Sequence, residues 1–291
     1  MSLSRLQRTI KRPAMVSGYG YWSGRDVRVE FRPAAAGTGI RFVRDDLGNA
    51  EQVPARIENR IDVGRRSNLR YAGVQVDMVE HILAALVGLQ IDNCEIGVDQ
   101  VEMPGCDGSS LAFVQALDAV GTVEQNCAVQ RLVITEPISF ADGDSWIKAQ
   151  PDTTGKYSVH FELDYPHASV IGQQSISIEI TPANFRRELA PCRTFVLQKE
   201  ADEMIRQGLG QRVTPRDLLV FDDQGPVENV LRFQNECARH KALDVIGDMA
   251  LTGCEIEGRI IAHRSSHQLN ATLATELVNR FAPTRILRAT A

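Results

Sequence analysis

The sequence contains no apolar run near the roughly 20 residues that a bilayer-spanning helix needs, so we expect no membrane span. Its opening residues include no apolar stretch typical of a secretory signal, which favours a cytoplasmic protein. None of its six cysteines forms a CxxC pair, which argues against a cysteine-ligated zinc knuckle and against a disulfide framework. Positive charge is not in excess either, because 32 basic residues face 37 acidic ones. We therefore expect no nucleic-acid partner, although a local basic pocket for one phosphorylated ligand stays open.

What is present is a succession of strand and helix patterns in 291 residues, enough for one large domain or two ordinary ones. Alternating apolar residues predict strands at 27–31, 39–43, 93–98, 131–135, 157–163 and 254–261. Helical spacing of apolar residues predicts helices at 79–87, 110–120, 182–189, 197–207 and 235–251. Gly88 is interpreted as a helix stop, and Thr181 as an N-cap before Pro182 in the first helical position.

The two parts of the chain resemble each other in sequence. His81 and His240 are each followed by an apolar helix, a glycine and then Cys-Glu-Ile, at 94–96 and at 254–256. A chance echo is one interpretation. Taken as a repeat, the pattern predicts two α+β halves, each a sheet with helices on one face, and a site where the halves meet.

One group of residues has the composition of a catalytic metal site. His240 and Asp244 are separated by one helical turn and can hold one ion, although a solvated surface pair is the alternative. His81 supplies a second imidazole, and two imidazoles with one carboxylate form a catalytic zinc set that leaves a position open for water. Zinc lowers the pKa of bound water to about 7. Glu80, adjacent to His81, is then a candidate base for that water.

A second histidine pattern suggests an acid. His267 could protonate a leaving amine and stabilise an oxyanion, with Asp248 orienting its ring. The alternative is a polar loop histidine. Thr194 could donate a hydrogen bond to the oxyanion, although its tripeptide at 193–195 is uninformative alone.

With these residues in place, the sequence resembles the UDP-3-O-acyl-N-acetylglucosamine deacetylase family, the zinc amidases of bacterial lipid A synthesis. The strongest matches are the decapeptide at 239–248 and the hexapeptide at 265–270. Further matching segments lie at 7–11, 32–34, 37–40, 79–86, 88–93, 104, 107–109 and 193–195. The resemblance implies an α+β fold of two β-α-α-β domains, 1–126 and 127–291, packed helix layer to helix layer with zinc at their junction. It implies hydrolysis of the N-acetyl group of a UDP-linked, 3-O-acylated glucosamine, with acetate and the free amine as products.

The same resemblance assigns roles to individual residues. By position, His81, His240 and Asp244 are the zinc ligands and Glu80 is the general base. His267 is the cationic acid, Asp248 its partner and Thr194 the oxyanion donor. The implied substrate contacts are Phe195 against the sugar, Lys241 and Arg264 near the phosphates, and Asp164 and Tyr165 at the nucleoside. An acyl-chain passage is implied as well, but its lining is not evident from the sequence.

Several segments depart from the family pattern. Trp22 replaces a histidine in the glycine-rich segment 18–24, and Ser266 replaces a glycine. The usual hydroxyl-rich stretch before Glu80 is replaced by the segments 64–68 and 76–78. The usual Gly-Gly-Ser segment with its downstream asparagine is replaced by the segment 210–215. The alternatives are therefore a divergent homologue that deacetylates another N-acetylated sugar, and a non-catalytic protein that binds a nucleotide sugar. The oligomeric state is not evident from the sequence.

Overall fold

The computed structural model describes residues 4–48, 51–165 and 170–282 as a mixed fold of helices and several sheets. The first part contains β1 (Leu6–Ile10), β2 (Ala14–Tyr19), β3 (Asp26–Pro33), β4 (Ile40–Arg44), β5 (Val53–Pro54), β6 (Arg60–Ile61), β7 (Asn68–Tyr71), β8 (Val74–Val76), α1 (Glu80–Gly88), β9 (Cys94–Val98), α2 (Leu111–Val120) and β10 (Thr122–Ala128). The second part contains β11 (Arg131–Val133), β12 (Ile138–Asp142), β13 (Ser145–Gln150), β14 (Tyr157–Asp164), β15 (Gln173–Glu179), α3 (Pro182–Asn184), β16 (Phe195–Leu197), α4 (Gln198–Arg206), β17 (Leu219–Phe221), α5 (Glu236–Met249), β18 (Glu255–His263) and α6 (His267–Phe281).

Two sheets repeat the same pairing pattern. In the order β2-β3-β9-β4-β5, the central β9 is antiparallel to β3 and parallel to β4. In the order β12-β13-β18-β14-β15, the central β18 is likewise antiparallel to β13 and parallel to β14. Helix α1 precedes β9 and helix α5 precedes β18, so the echo in the sequence falls on equivalent elements. The domain boundary at 126/127 stays a prediction, and β10 extends across it.

Most of the sequence predictions of helices are confirmed, because α1, α2, α4 and α5 lie within two residues of the expected bounds. The Thr181 cap is confirmed as well, since its hydroxyl accepts the N–H of Asn184 at 3.2 Å. The helix expected at 182–189 is α3 followed by a π-helical turn, Phe185–Leu189. Helix α6 was not predicted, although Ser266 caps it by accepting the N–H of Leu269.

Gly88 is the last residue of α1, as expected, but it does not act as a left-handed cap. Its φ is not among the positive values that a left-handed glycine cap requires. A Cβ at this position would lie 2.3 Å from the ring of Phe185, which is fully buried. The glycine therefore makes room for an aromatic side chain of the second part of the chain.

Helices α1 and α5 pack directly against each other, and this contact positions the candidate site. At the crossing point, a Cβ built on Gly247 would lie 2.2 Å from the carbonyl oxygen of Glu80. Ile82, Leu83 and Leu86 of α1 are fully buried, as is most of α5. The missing side chain thus allows two backbones to approach closely just where the polar residues of both helices meet.

Gly247→Ala is expected to lower the free energy of unfolding by about 1–2 kcal/mol. Overpacking costs about 1–3 kcal/mol, and the upper half of that range applies here because the obstructing atom belongs to the backbone of Glu80. The gain of about 1 kcal/mol in helix propensity offsets only part of it. Chemical denaturation measures the change. Gly64→Ala is the control, because no atom lies within 4 Å of a Cβ at Gly64. An unchanged stability of Gly247→Ala would contradict the close approach of the two helices.

Residues 195–221 form a small β-α-β unit. Strands β16 and β17 pair in parallel, and α4 lies between them in the chain. No residue of α4 is fully buried, although Ala201, Met204 and Ile205 share one face at helical spacing. All six cysteines lie in described segments and are free thiols. No helix within the described segments is long and apolar enough to cross a membrane.

Candidate active site

His81, His240 and Asp244 converge where α1 meets α5. One ligand atom from each of the three residues lies within 4.8 Å of the others, and all three side chains are buried. Asp244 Oδ1 is 3.3 Å from His240 Nε2 and 3.7 Å from His81 Nε2. The two imidazole rings are nearly perpendicular, with centroids 5.0 Å apart.

The donor set fits a divalent cation. Asp244 Oδ1 is buried without a hydrogen-bond partner, an arrangement that costs free energy unless something compensates the oxygen. A metal ion bound by two imidazoles and one carboxylate compensates it, and this set of donor atoms suits zinc.

Neighbouring groups fix the protonation of these donors. His240 Nδ1 donates to the carbonyl oxygen of Cys192 at 3.0 Å, and burial lowers the pKa of His240 to about 3, so its Nε2 keeps a lone pair. For Asp244, burial alone would raise the pKa, but the ammonium of Lys241, 2.9 Å from Oδ2, and the charge of His267 hold it well below its usual range. The carboxylate is therefore ionised and the imidazole neutral, as metal ligation requires.

Glu80 lies at the start of α1 beside the three donors and lines the same cavity. It is 3% exposed, and its Oε2 accepts the backbone N–H of Ser67 at 3.0 Å. Burial raises its pKa, against the opposing effects of His267 and His81. A carboxylate whose pKa is raised toward neutrality suits a general base.

His267 is the first residue of α6 and lines the same cavity. Its Nδ1 is 2.8 Å from Asp248 Oδ2, and its Nε2 is 3.9 Å from Asp244 Oδ2. Burial would lower its pKa, but the carboxylates of Asp248, Asp244 and Glu80 together outweigh that effect and raise the pKa to about 9. The ring is thus an imidazolium at neutral pH, even at a helix N-terminus, where the macrodipole disfavours a cation.

Asp248 is itself held by two further hydrogen bonds. Its Oδ1 accepts the hydroxyl of Ser67 at 2.5 Å, and its Oδ2 accepts the amide of Asn270 at 2.8 Å. Ser67 therefore contacts the carboxylates of both Glu80 and Asp248. Sequence analysis missed Ser67 because no pattern identifies a partner 181 positions from Asp248.

A buried ion pair fixes the loop that carries Thr194. Arg193 Nε donates to Glu236 Oε1 at 2.8 Å, and the two side chains are 6% and 0% exposed. Arg193 also donates to the side-chain oxygen of Asn229 and to the carbonyl oxygen of Val230, both at 2.7 Å. The loop thereby presents the Cys192 carbonyl to His240 on one side and Thr194 to the cavity on the other.

These side chains open into a cavity of about 750 Å³. Thr194, Phe195, Tyr165 and Lys241 line it; the rings of Tyr165 and Phe195 are 5.8 Å apart, and Lys241 Nζ is 5.9 Å from the centroid of Phe195. Arg264 and Asp164 are not among its lining residues. Arg264 is exposed and Asp164 ends β14, so their assignment to the nucleotide stays a prediction.

One wall of the cavity is apolar and comes from the small β-α-β unit. Its lining residues are Val196, Ala201, Met204, Ile205, Leu209, Val213, Leu218 and Val220. Sequence analysis did not identify these residues. The spacing of Ala201, Met204 and Ile205 along α4 was the signal that could have indicated an apolar face there.

Comparisons with known proteins identify the family to which this chain is similar. The model of the UDP-3-O-acyl N-acetylglycosamine deacetylase family matches residues 7–279. A protein of Chlamydia caviae named UDP-3-O-acyl-N-acetylglucosamine deacetylase is 35% identical, over 97% of this chain and 100% of its own length. Proteins with the same name from Anaeromyxobacter dehalogenans and Chlamydia pneumoniae are 35% and 36% identical, over 98% and 95% of this chain and 91% and 98% of their own lengths.

Proposed function

The chain belongs to the UDP-3-O-acyl N-acetylglycosamine deacetylase family, and on this basis we propose that it hydrolyses a UDP-3-O-acyl-N-acetylglucosamine with the help of zinc. The products are acetate and the free amine, as required for lipid A synthesis. The single observation that carries the proposal is the convergence of His81, His240 and Asp244, with Asp244 Oδ1 buried and unpartnered. Metal-assisted amide hydrolysis combines a metal with a base and an acid, and Glu80 and His267 line the same cavity as the three donors.

Each residue then has a chemical task. His81, His240 and Asp244 hold the ion, which when bound supplies Lewis-acid activation of a water and of the amide carbonyl. Glu80 takes the proton of the attacking water at its carboxylate. His267 gives a proton from Nε2 to the leaving nitrogen, because Asp248 holds the ring cationic through Nδ1. The hydroxyl of Thr194 donates a hydrogen bond to the developing oxyanion.

The cavity accommodates the rest of the substrate. Phe195 packs against the sugar and Lys241 lies near the phosphates, with Tyr165 beside the nucleoside. The apolar wall of the small β-α-β unit accepts the acyl chain, since buried apolar surface favours it by about 0.8 kcal/mol per methylene group. The proposal also assigns nucleotide contacts to Arg264 and Asp164, which are not among the residues that line the cavity.

The proposal extends to the architecture. Segments 1–126 and 127–291 are two β-α-α-β domains packed through their helices, which the repeated sheet pairing and the α1–α5 contact support. The reaction takes place in the cytoplasm, as the sequence predicts.

The decisive experiment incubates purified protein with UDP-3-O-acyl-N-acetylglucosamine after removal of metal by a chelator, with and without added zinc. Amine release that depends on zinc supports the proposal. UDP-N-acetylglucosamine, which has no acyl chain, is the comparison substrate and should react more slowly. Zinc binding without turnover on the acylated substrate would overturn it, and turnover of other acetylated sugars would then identify a divergent deacetylase.

His267→Ala is expected to reduce turnover by about 10²-fold, because the leaving nitrogen loses its acid. Zinc content should stay at the wild-type level, since His267 is not among the three donors. Rate measurements and metal analysis of the same preparation test both statements. A parallel loss of zinc would show that His267 is a ligand.

A further inference from the structure

Three cationic side chains, apart from histidines, line the candidate active-site cavity among the described residues. Arg65 forms an ion pair with Glu200 at 3.0 Å, and Lys241 pairs with Asp244 at 2.9 Å. Arg66 differs, because its Nε and Nη1 are buried without a hydrogen-bond partner. Its guanidinium therefore retains donors that nothing in the protein satisfies.

The nearest carboxylate compensates Arg66 only in part. Arg66 Nη2 lies 3.6 Å from Asp77 Oδ2, beyond hydrogen-bond distance. Asp77 already accepts the side-chain amide of Gln75 at 2.7 Å through its other oxygen. Since a guanidinium cannot lose its proton, its buried Nε–H and Nη1–H groups require a further acceptor.

The guanidinium lies over an aromatic ring. Its Cζ lies 4.5 Å from the ring centroid of Trp22, which also lines the cavity. The Trp22 loop is itself anchored, because Glu102 accepts the backbone N–H groups of Trp22 and Ser23 at 2.8 and 2.9 Å. The Arg66 side chain is 20% exposed, so an oxyanion in the cavity can approach it, and a guanidinium binds such a group in a planar, two-pronged contact.

The position of Arg66 ties it to the reaction site. The next residue, Ser67, hydrogen-bonds to both Glu80 and Asp248, and Arg66 lines the same cavity as Glu80. Phosphate oxygens satisfy guanidinium donors well, and the proposed substrate carries a diphosphate. We propose that Arg66, stacked on Trp22, binds a phosphate group of the UDP moiety and determines affinity for the nucleotide sugar. This assignment rests on the proposed function.

The test measures UDP binding by calorimetry with the zinc-loaded protein and its Arg66→Gln variant. Loss of a charge-assisted hydrogen bond should weaken UDP binding about tenfold. Trp22→Ala should weaken it about threefold, because the guanidinium loses its stacking partner. Arg70→Gln is the matched control: Arg70 is exposed, contacts Gln75 and lies outside the cavity lining, so UDP affinity should not change.

Steady-state kinetics provide the second measurement, with the effect of Arg66→Gln expected mainly in KM and not in kcat. If Arg66→Gln does not fold, Arg66→Lys keeps the charge without the planar fork and should show a smaller loss of UDP affinity. Wild-type UDP affinity in a folded Arg66 variant would overturn the assignment. UDP binding does not require turnover, so this outcome is distinct from a failure of the deacetylase assay.

Discussion

Replacement of Glu80 by glutamine is expected to reduce turnover about 10³-fold while the protein keeps its zinc. The amide matches the carboxylate in size and can occupy the same buried position beside Ser67. It cannot take a proton from water, however, and general-base catalysis typically contributes about 10²–10⁴-fold. Metal content should not change, because Glu80 is not one of the three converging donors.

Two measurements on one preparation test this expectation: the rate of amine release at saturating substrate, and zinc per polypeptide. Glu95→Gln is the control, since Glu95 lies on β9 and contacts Arg32 and Gln52 away from the cavity. Near wild-type turnover in Glu80→Gln would exclude Glu80 as the base. Loss of zinc would instead make it a ligand.

Asp244→Ala is expected to weaken zinc binding by more than about 10²-fold and to abolish turnover. The change removes one of three donors, and loss of even an outer-shell partner typically costs about 10–100-fold in metal affinity. It also removes the acceptor of the partly buried Lys241 ammonium, which adds a cost in stability.

Equilibrium dialysis against buffered zinc measures the affinity. Asp248→Asn provides a matched comparison one turn further along α5, because Asp248 contacts His267 and Ser67 but is outside the donor set. That variant should retain zinc and lose activity. If Asp244→Ala kept the wild-type zinc affinity, Asp244 would not be a ligand and the proposed metal centre would be wrong.

The parts of the site that follow a helical period could be predicted from the sequence. His240 and Asp244 are four residues apart, so one turn of α5 places them on one face. His81 required the sequence echo or the family resemblance, because only the packing of α1 on α5 brings it near. The structure agrees with this sequence repeat, because the strand order and strand directions around β9 recur around β18.

Supporting contacts could not be predicted, because they depend on distances across the fold. Ser67 meets Asp248 from 181 residues away, and the Cys192 carbonyl that orients His240 is a backbone group found in any sequence. In a sequence, a glycine such as Gly88 indicates a helix end, and a glycine inside a helix, such as Gly247, generally weakens it. In the structure, both glycines allow neighbouring elements to approach closely. Arg264 was placed near the phosphates by resemblance alone, and the structure leaves it exposed at a residue with φ of 51°.

Helix α1 provides one imidazole and helix α5 provides the other imidazole and the carboxylate, which has a consequence for maturation. Neither segment of the chain alone carries enough donors, so tight loading with metal must wait until the two helices have docked. Once loaded, the ion cross-links regions more than 150 residues apart in sequence, and at a hundredfold excess over its Kd it would add about 2.7 kcal/mol to stability. On the proposed function, a newly synthesised chain would therefore stay inert until its tertiary structure is complete, and depletion of zinc would both stop turnover and destabilise the fold.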